Sequence, residues 1–433
     1  MKFPKTISSS LFLCFLASFS LQAQFKNVKI HEGAGGIGPC EPSISINPAN
    51  SKEMVAGAVL NTVAHSKDGG KTWDARKLKS SLGVWGDPCI LADSKGNFHY
   101  FHLSDPTGRN WKSKEILDRM VCQSSSDGGK TWSDGASIGL NFDKDQDKEW
   151  GVVDLKTNHI YLTWTQFDKY GSKNFIEDKS NILFSKSTDG GKSWNNPVQI
   201  NQFSGDCIDD DLTTEGAVPA VGSNGELYVT WSLNGKLYFD KSLDGGATWM
   251  AKDKVIAEQP EGWAIEIPGI GRANGFPVTV CDVSEGENKG AIYVNWSDQR
   301  NGKDNTDVWI MKSTDQGETW SEPKKVNDDK GKSHQFFNWL AVDPVTGSVY
   351  VVFYDRRAYE KGSTETDVYI AYSKDGGDNF TNLKISEKSF TPNPDLFFGD
   401  YNNISVYNGI IRPIWTRVDG AKMSVWTALV EIE

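Results

Sequence analysis

Cysteine and histidine are scarce in this sequence, which limits the metal chemistry that it can support. The 433 residues contain six cysteines and six histidines, and no two cysteines have the C-x-x-C spacing of a zinc or dithiol site. Five cysteines follow residue 23: Cys40, Cys89, Cys122, Cys207 and Cys281. Their number is odd, so at most two disulfides can form. We expect Cys40 and Cys89 to pair, because they occupy similar places in neighbouring repeats.

The sequence also lacks an excess of positive charge and a long apolar run. The formal net charge is −11, which argues against nucleic acid as a partner. The apolar run at 11–21 is shorter than the ~20 residues that a membrane span needs. It follows Lys2 and Lys5 and ends before the small residue Ala23, as in a secretory signal peptide. We therefore expect residues 1–23 to be a signal peptide and residues 24–433 to be a single domain of a secreted or periplasmic protein, a monomer without a membrane span.

Glycine and tryptophan are abundant, with 42 and 16 copies, and both recur in a short repeated motif. The motif reads SKDGGKTW at 66–73 and returns at 125–132, 187–194, 242–249, 313–320 and, as SKDGGDNF, at 373–380. Each copy lies between two alternating apolar runs, which predicts a hairpin turn. Glycine supplies positive φ, the Asp accepts hydrogen bonds from turn amides, and the Trp packs between strands. The motif therefore predicts a structural turn.

A second repeat, upstream of each turn, counts the units of the fold. It reads EPSISIN at 41–47, DPCILAD at 87–93, KEWGVVD at 148–154, GAVPAVG at 216–222, FPVTVCD at 276–282, FNWLAVD at 337–343 and YNNISVY at 401–407. Seven such units, each followed by a second β-forming run, predict an all-β, seven-bladed β-propeller of four-stranded antiparallel blades. The seventh unit stops before its fourth strand, so we expect the segment FKNVKI at 25–30 to complete it and close the ring.

Five full copies of the turn and a degraded sixth follow S-x-D-x-G-x-T-W, the Asp box or BNR repeat, and the chain thereby resembles the sialidase superfamily of β-propellers over nearly all of its mature length. The resemblance implies a secreted glycosidase that acts on a glycan. Two departures are visible. Sialidase catalytic domains have six blades, and the family's Phe-Arg-Ile-Pro signature is absent, with Glu41 and Pro42 at the comparable site.

The strand heads predict a site on the face opposite the turns, because the turn between the third and fourth strands lies away from the start of the innermost strand. Polar residues occupy these heads in turn: Glu41, Asp87, Glu149, Glu215, Asn274, Asn338, and Asp400 with Tyr401. Nearby arginines add the opposite charge: Arg272, Arg356 and Arg417. A channel mouth that contains both acidic and basic side chains is suited to binding an acidic sugar.

The resemblance implies roles for these residues. Tyr401 is similar to the sialidase nucleophile, Glu215 to its partner and Asp87 to the acid/base residue. Arg272, Arg356 and Arg417 would bind the substrate carboxylate, and Glu41 and Trp150 would also contact substrate. Structural alternatives stay open: Tyr401 could cap the channel, the arginines could form salt bridges, and the carboxyls could bond strand-head amides.

Two other functions stay open. Seven-bladed relatives include polysaccharide lyases and a rhamnosidase that act on uronate-containing glycans, and His102 or His334 could serve such a reaction. The chain could also be a non-catalytic propeller that binds glycan or protein. No cofactor is required for any of these functions. The acidic run Asp209–Asp211, with Asp206 nearby, could hold Ca²⁺, although a solvated loop explains it equally simply.

Overall fold

The computed structural model describes residues 25–33 and 37–432, and it contains seven four-stranded antiparallel β-sheets. The fold is the expected seven-bladed β-propeller. The expected signal peptide at 1–23 lies outside the described residues. Across the part of the chain that the structure describes, no helix is long and apolar enough to cross a membrane.

The strands follow one another in blade order. Blades one to three contain β2–β5 (Ser43–Ile46, Met54–Ala58, Thr62–Ser66, Asp74–Lys77), β6–β9 (Cys89–Ala92, Phe98–Leu103, Met120–Ser125, Ala136–Ile138) and β10–β13 (Asp145–Val153, Ile160–Phe167, Ser180–Ser187, Val198–Gln199). Blades four to six contain β14–β17 (Glu215–Val221, Leu227–Leu233, Lys236–Ser242, Lys254–Glu258), β18–β21 (Val278–Cys281, Ile292–Asp298, Asp307–Ser313, Lys324–Lys325) and β22–β25 (Gln335–Val342, Val349–Asp355, Asp367–Ser373, Thr381–Lys384). The seventh sheet contains β26–β28 (Asn403–Tyr407, Ile410–Asp419, Lys422–Glu431) and β1 (Lys26–Glu32).

The innermost strands form a closed ring. Each of β2, β6, β10, β14, β18, β22 and β26 contacts the next in this order, and β26 contacts β2. Apolar side chains on both faces of the blades fill the spaces between neighbouring sheets. The seventh sheet joins distant parts of the chain, because β1 pairs antiparallel with β28, with Val28 opposite Thr427.

The six repeated turns join the third and fourth strands of blades one to six, as expected. In blade four the Asp244 carboxylate accepts hydrogen bonds from the Thr248 N–H at 2.8 Å and hydroxyl at 2.6 Å. Trp249 packs edge-on against Phe184 of the preceding blade, with ring centroids 5.0 Å apart. Gly246 has φ +85°, and a Cβ there would lie 2.4 Å from the Phe184 ring. The turn therefore fastens each blade to its neighbour, and its second glycine is required both for φ and for space.

The cysteines correct one expectation. All five in the described residues are buried free thiols, so Cys40 and Cys89 do not form a disulfide. Cys40 precedes β2, whereas Cys89 is the first residue of β6. Cys40 thus lies before the inner strand of blade one, whereas Cys89 lies within the inner strand of blade two. Similar positions in the repeat do not bring the two thiols face to face.

Candidate functional site

The site is built at the strand heads, on the face where the inner strands begin; we call it the strand-head face. The backbone there is unusual, because the first residues of repeats one to four and of repeat six have positive φ: Glu41 (49°), Asp87 (50°), Lys148 (53°), Gly216 (74°) and Phe337 (50°). The ladders of β10, β14 and β22 shift register at the same level. Such bulges change the direction of successive side chains, so neighbours in sequence can point toward the channel axis.

Nine ionisable residues meet there, and we call them the charged cluster: Glu41, Asp87, Asp147, Lys148, Glu149, Asp209, Glu215, Arg272 and Asp400. Lys148 is one of its two cations and its side chain is 5% exposed. Its Nζ lies 3.3 Å from Asp147, 3.4 Å from Asp400 and 3.9 Å from Asp209. Burial alone would lower the pKa of Lys148, but these three carboxylates outweigh burial and raise it well above its ordinary value.

Arg272 is the second cation, and its side chain is 36% exposed. Its Nη1 donates to Asp209 at 2.8 Å, and its Nη2 donates to Asp400 at 2.7 Å. Tyr170, half-buried on the loop after β11, donates its hydroxyl to the other side of the network, to Asp209 Oδ2 at 2.5 Å. Burial opposes ionisation of Asp209, but Lys148 and Arg272 hold its pKa below its ordinary value. The guanidinium is thus fixed at the rim and still partly open to solvent.

Four carboxyl groups of the cluster have raised pKa values. Burial is the largest cause for each, followed by the charge of a neighbouring carboxylate. The pKa of Asp87 is raised to about 8, and those of Glu41, Glu149 and Glu215 are raised well above the ordinary range. Each of the four is therefore more easily protonated than a carboxyl in water. The remaining three carboxyls, Asp147, Asp209 and Asp400, are those that contact Lys148 or Arg272.

Asp87 and Glu215 lie in different surroundings. Glu215 is fully buried, and in the described residues neither of its carboxyl oxygens has a hydrogen-bond partner. After burial, the charge of Asp209 is the largest cause of its raised pKa. Asp87 is half-buried and lies closer to solvent. Of the two, Asp87 is the carboxyl that a bound molecule can reach.

Tyr401 lies beneath the carboxyls and is 4% exposed. Its hydroxyl has no hydrogen-bond partner in the described residues. Burial, then the charges of Asp87, Glu41 and Glu149, raise its pKa well above the ordinary value. The hydroxyl makes no hydrogen bond to Glu215, its expected partner. The carboxyls around Tyr401 are therefore Asp87, Glu41 and Glu149.

An aromatic plug closes the channel under the cluster. Trp150, expected to contact substrate, is 4% exposed and packs 4.1 Å from Trp339 and 5.0 Å from Tyr401 between ring centroids. Phe276 completes the plug, 5.5 Å from Trp339. On the other side of the plug is an apolar cavity of about 470 Å³, which is lined by the inner strands and opens on the face of the turns. The plug separates this cavity from the charged groups.

The three arginines expected to bind one carboxylate are not brought together. Only Arg272 belongs to the cluster. Arg356 donates to the Pro268 carbonyl at 2.8 Å, and burial lowers its pKa to about 10. Arg417 pairs with Asp419 at 2.8 Å in the seventh blade and lies over the Trp426 ring. Local partners, rather than a common ligand, fix the last two side chains.

The histidines suggested for a lyase are packed among protein groups. His102 is fully buried and hydrogen-bonded to the Leu103 carbonyl and to Gln123, and burial lowers its pKa to about 4. His334 lies 2.9 Å from the Thr306 hydroxyl, and burial likewise lowers its pKa to about 4. Neither has a contact with the charged cluster.

The acidic run at 209–211 is divided among different partners. Asp209 serves the cluster, whereas Asp211 accepts the Ala264 N–H at 2.8 Å. In the described residues, no group of three or more His, Cys, Asp or Glu side chains is arranged to hold a metal ion.

Sequence reasoning missed three residues of the site, Asp147, Lys148 and Tyr170, and considered Asp209 only as a calcium ligand. One signal was present, namely the run of charges Asp145–Glu149 at the head of a strand that is otherwise buried. A lysine there needs carboxylate partners, because an unpaired buried charge is costly.

Comparisons with known proteins agree with the fold. No family model matches the chain. A curated sialidase of Bacteroides fragilis (strain YCH46) is 26% identical over 312 residues, which are 66% of this chain. The match covers 52% of that protein, so the chain spans about half the length of this relative.

Solved structures show the same architecture at low identity. An ulvan lyase, a polysaccharide lyase bound to -[GlcA(1-4)Rha3S]-, has a TM-score of 0.55 at 12% identity, covering 92% of this chain and 95% of its own. The NanB sialidase from Streptococcus pneumoniae has a TM-score of 0.52 at 14% identity, covering 82% and 70%. A Dyadobacter fermentans protein of unknown function has a TM-score of 0.52 at 14% identity, covering 94% and 99%. With seven four-stranded blades and this similarity in sequence, the chain is a sialidase-like β-propeller.

Proposed function

We propose that the protein is a secreted carbohydrate-active enzyme, a sialidase-like glycoside hydrolase that acts on an acidic glycan at the charged cluster. One observation carries the proposal: a half-buried carboxyl with a pKa of about 8, Asp87, lies in the same cluster as a fixed and partly exposed guanidinium, Arg272. Glycoside hydrolysis needs a proton donor for the leaving oxygen. An acidic sugar needs a cation for its carboxylate. The sialidase relative supports this choice of substrate class.

In this proposal Asp87 donates the proton to the glycosidic oxygen. Arg272, held by Asp209 and Asp400, offers its remaining N–H groups to the sugar carboxylate. Tyr401 is the nucleophile: its oxygen attacks the anomeric carbon as the glycosidic C–O bond breaks and Asp87 protonates the departing oxygen, and the phenol proton passes to the Asp87 carboxylate so formed. Water then attacks the anomeric carbon and breaks the bond to Tyr401, and a proton returns to the tyrosine oxygen. Glu215 makes no hydrogen bond to the Tyr401 hydroxyl, and Asp209 is the group whose charge most raises its pKa, so we assign Glu215 to the Asp209–Arg272 side of the cluster.

The experiment measures turnover of sialosides and uronate-rich polysaccharides by the mature protein, with reducing-end and ultraviolet readouts together. We expect new reducing ends without a rise in ultraviolet absorbance. Asp87→Asn should lower kcat by about 10²-fold or more. The matched control is Glu318→Gln, a carboxyl that is 65% exposed in a turn on the opposite face. Equal activity of Asp87→Asn and Glu318→Gln would refute the assignment.

A lyase is the second candidate, and Tyr170 is the observation that favours it. Its hydroxyl is half-buried, bonded to Asp209 and next to Arg272. A tyrosine beside a neutralised uronate could move the proton in a β-elimination. The ulvan lyase with the same fold supports this alternative. Ultraviolet absorbance that rises with each bond cleaved, and that is lost in Tyr170→Phe, would select the lyase over the hydrolase.

A further inference from the structure

One tryptophan of this chain is placed unlike all the others. All sixteen lie in the described residues, and Trp111 alone is exposed, with 57% of its surface accessible. It belongs to a short 3₁₀ helix, Asn110–Lys112, on the loop between β7 and β8. That loop lies on the strand-head face. A ligand that covered this exposed indole would gain the free energy of burying it.

The loop holds Trp111 in a fixed position. The Asn110 N–H donates to the Asp105 carboxylate at 2.9 Å, and the Ser113 N–H donates to the Asn110 carbonyl at 2.8 Å. At the base of the loop the Ser104 hydroxyl donates to Asp118 at 3.0 Å. The indole is thus presented by a hydrogen-bonded loop, which reduces the entropy lost when a ligand binds.

Trp111 connects directly to the charged cluster. Its ring stacks on Tyr170 with centroids 5.5 Å apart and an angle of 28° between planes. Tyr170 is bonded to Asp209, which is bonded in turn to Arg272. One face of the indole is covered by Tyr170, and the exposed part is available next to the acid-binding groups.

The surroundings of Trp111 carry positive charge in a protein that is otherwise acidic. Arg109 and Lys112 flank it, both are exposed, and neither makes a side-chain ion pair within the described residues. An aromatic face between two free cations matches a sugar ring with acidic groups on it or beside it.

We propose that Trp111 is a sugar-stacking platform that extends the site beyond the unit held at Arg272. The inference rests on the proposed function and deepens it: the substrate is an acidic oligosaccharide or polysaccharide in which at least two adjacent units are bound. Trp111 is therefore a residue that selects for chain length.

The test measures binding and turnover of acidic oligosaccharides of one to four units, with the single unit supplied as its methyl glycoside. Trp111→Ala should weaken binding of the longer chains by roughly three- to tenfold, while the methyl glycoside is unaffected. Trp111→Tyr should restore most of the loss. Leu243→Ala is the matched control, because Leu243 is 58% exposed on the opposite face.

Binding is measured in the Asp87→Asn background, so that the result does not depend on turnover. Wild-type affinity of Trp111→Ala for every chain length would overturn the platform and leave the proposed function in place. Failure of the unmodified protein to bind or cleave any acidic glycan would overturn both.

Discussion

Lys148 allows the sharpest prediction, because it is a buried cation with three carboxylate neighbours. Its Nζ lies 3.3 to 3.9 Å from Asp147, Asp400 and Asp209. At an effective dielectric of ~20, each such contact is worth about 5 kcal/mol before desolvation is subtracted. Desolvation offsets much of that gain, and breaking one partner of a buried pair costs roughly 3–5 kcal/mol. We expect Lys148→Met to lower the free energy of unfolding by that amount at pH 7.

The loss should depend on pH in a defined direction. The pKa of Asp209 is depressed, so its contribution is present above about pH 4 and is lost as pH falls through the folded value. The pKa of Lys148 is raised, so its contribution is present below about pH 10 and is lost as pH rises through the folded value. The gap between wild type and Lys148→Met is therefore widest between these limits and narrows at pH 3.5.

Urea unfolding followed by tryptophan fluorescence measures this gap at pH 3.5, 5 and 7. Lys289→Met is the control, since Lys289 pairs with an exposed glutamate at 2.7 Å and its loss should change little. A Lys148→Met protein as stable as wild type at pH 7 would refute the claim that Lys148 and its three carboxylates stabilise the fold. A difference in the free energy of unfolding that stays constant down to pH 3.5 would refute it as well.

Three further outcomes are expected. Gly246→Ala should lower the free energy of unfolding by roughly 2–5 kcal/mol, because the position has positive φ and the new Cβ would contact the preceding blade. Gly245→Ala should lower it by only about 1–2 kcal/mol, because its Cβ would meet nothing closer than 3.9 Å. Equal melting temperatures of the two variants would contradict this. Tyr170→Phe should lose about 1.5–3 kcal/mol with its hydrogen bond, while Tyr401→Phe, whose hydroxyl has no partner, should keep its stability in denaturant titrations and lose only turnover. If Asp87 is the acid, kcat should fall as pH rises through about 8, and a rate that keeps rising there would exclude it.

The fold was accessible from sequence because its units repeat. Seven strand heads and six similar turns define blade number and turn position without any knowledge of long-range contacts. Each turn needs a glycine with positive φ and a hydrogen-bond acceptor at a fixed spacing, and both requirements can be recognised within a single motif of the sequence.

The site was only partly accessible, for two physical reasons. Bulges at the strand heads decide which of several adjacent charged residues points to the axis. Lys148 stands at the same place in its repeat as Glu41 and Asp87, but nothing in the sequence shows that Asp147 and Glu149 on either side of it also belong to the site. Arginines also form ion pairs with nearby acids. Asp419 lies two residues beyond Arg417 on the same face of β27, and it binds the Arg417 side chain away from the channel. The charged residues that sequence reasoning named and that did meet come from six separate blade connections or strands: Glu41, Asp87, Glu149, Glu215, Arg272 and Asp400.

The pairing of β1 with β28 sets the order in which the molecule can be assembled. Val28 and Thr427 are partners, so the first described strand to leave the ribosome must wait for one of the last before it can bond. Until then β1 has no sheet, and the blades between them form an open arc with two unprotected edges. Contacts of such long sequence separation form slowly. Closure of the ring is therefore a late event in biogenesis, and chains that stop short of β28 should be substrates for proteases and chaperones rather than shorter working propellers.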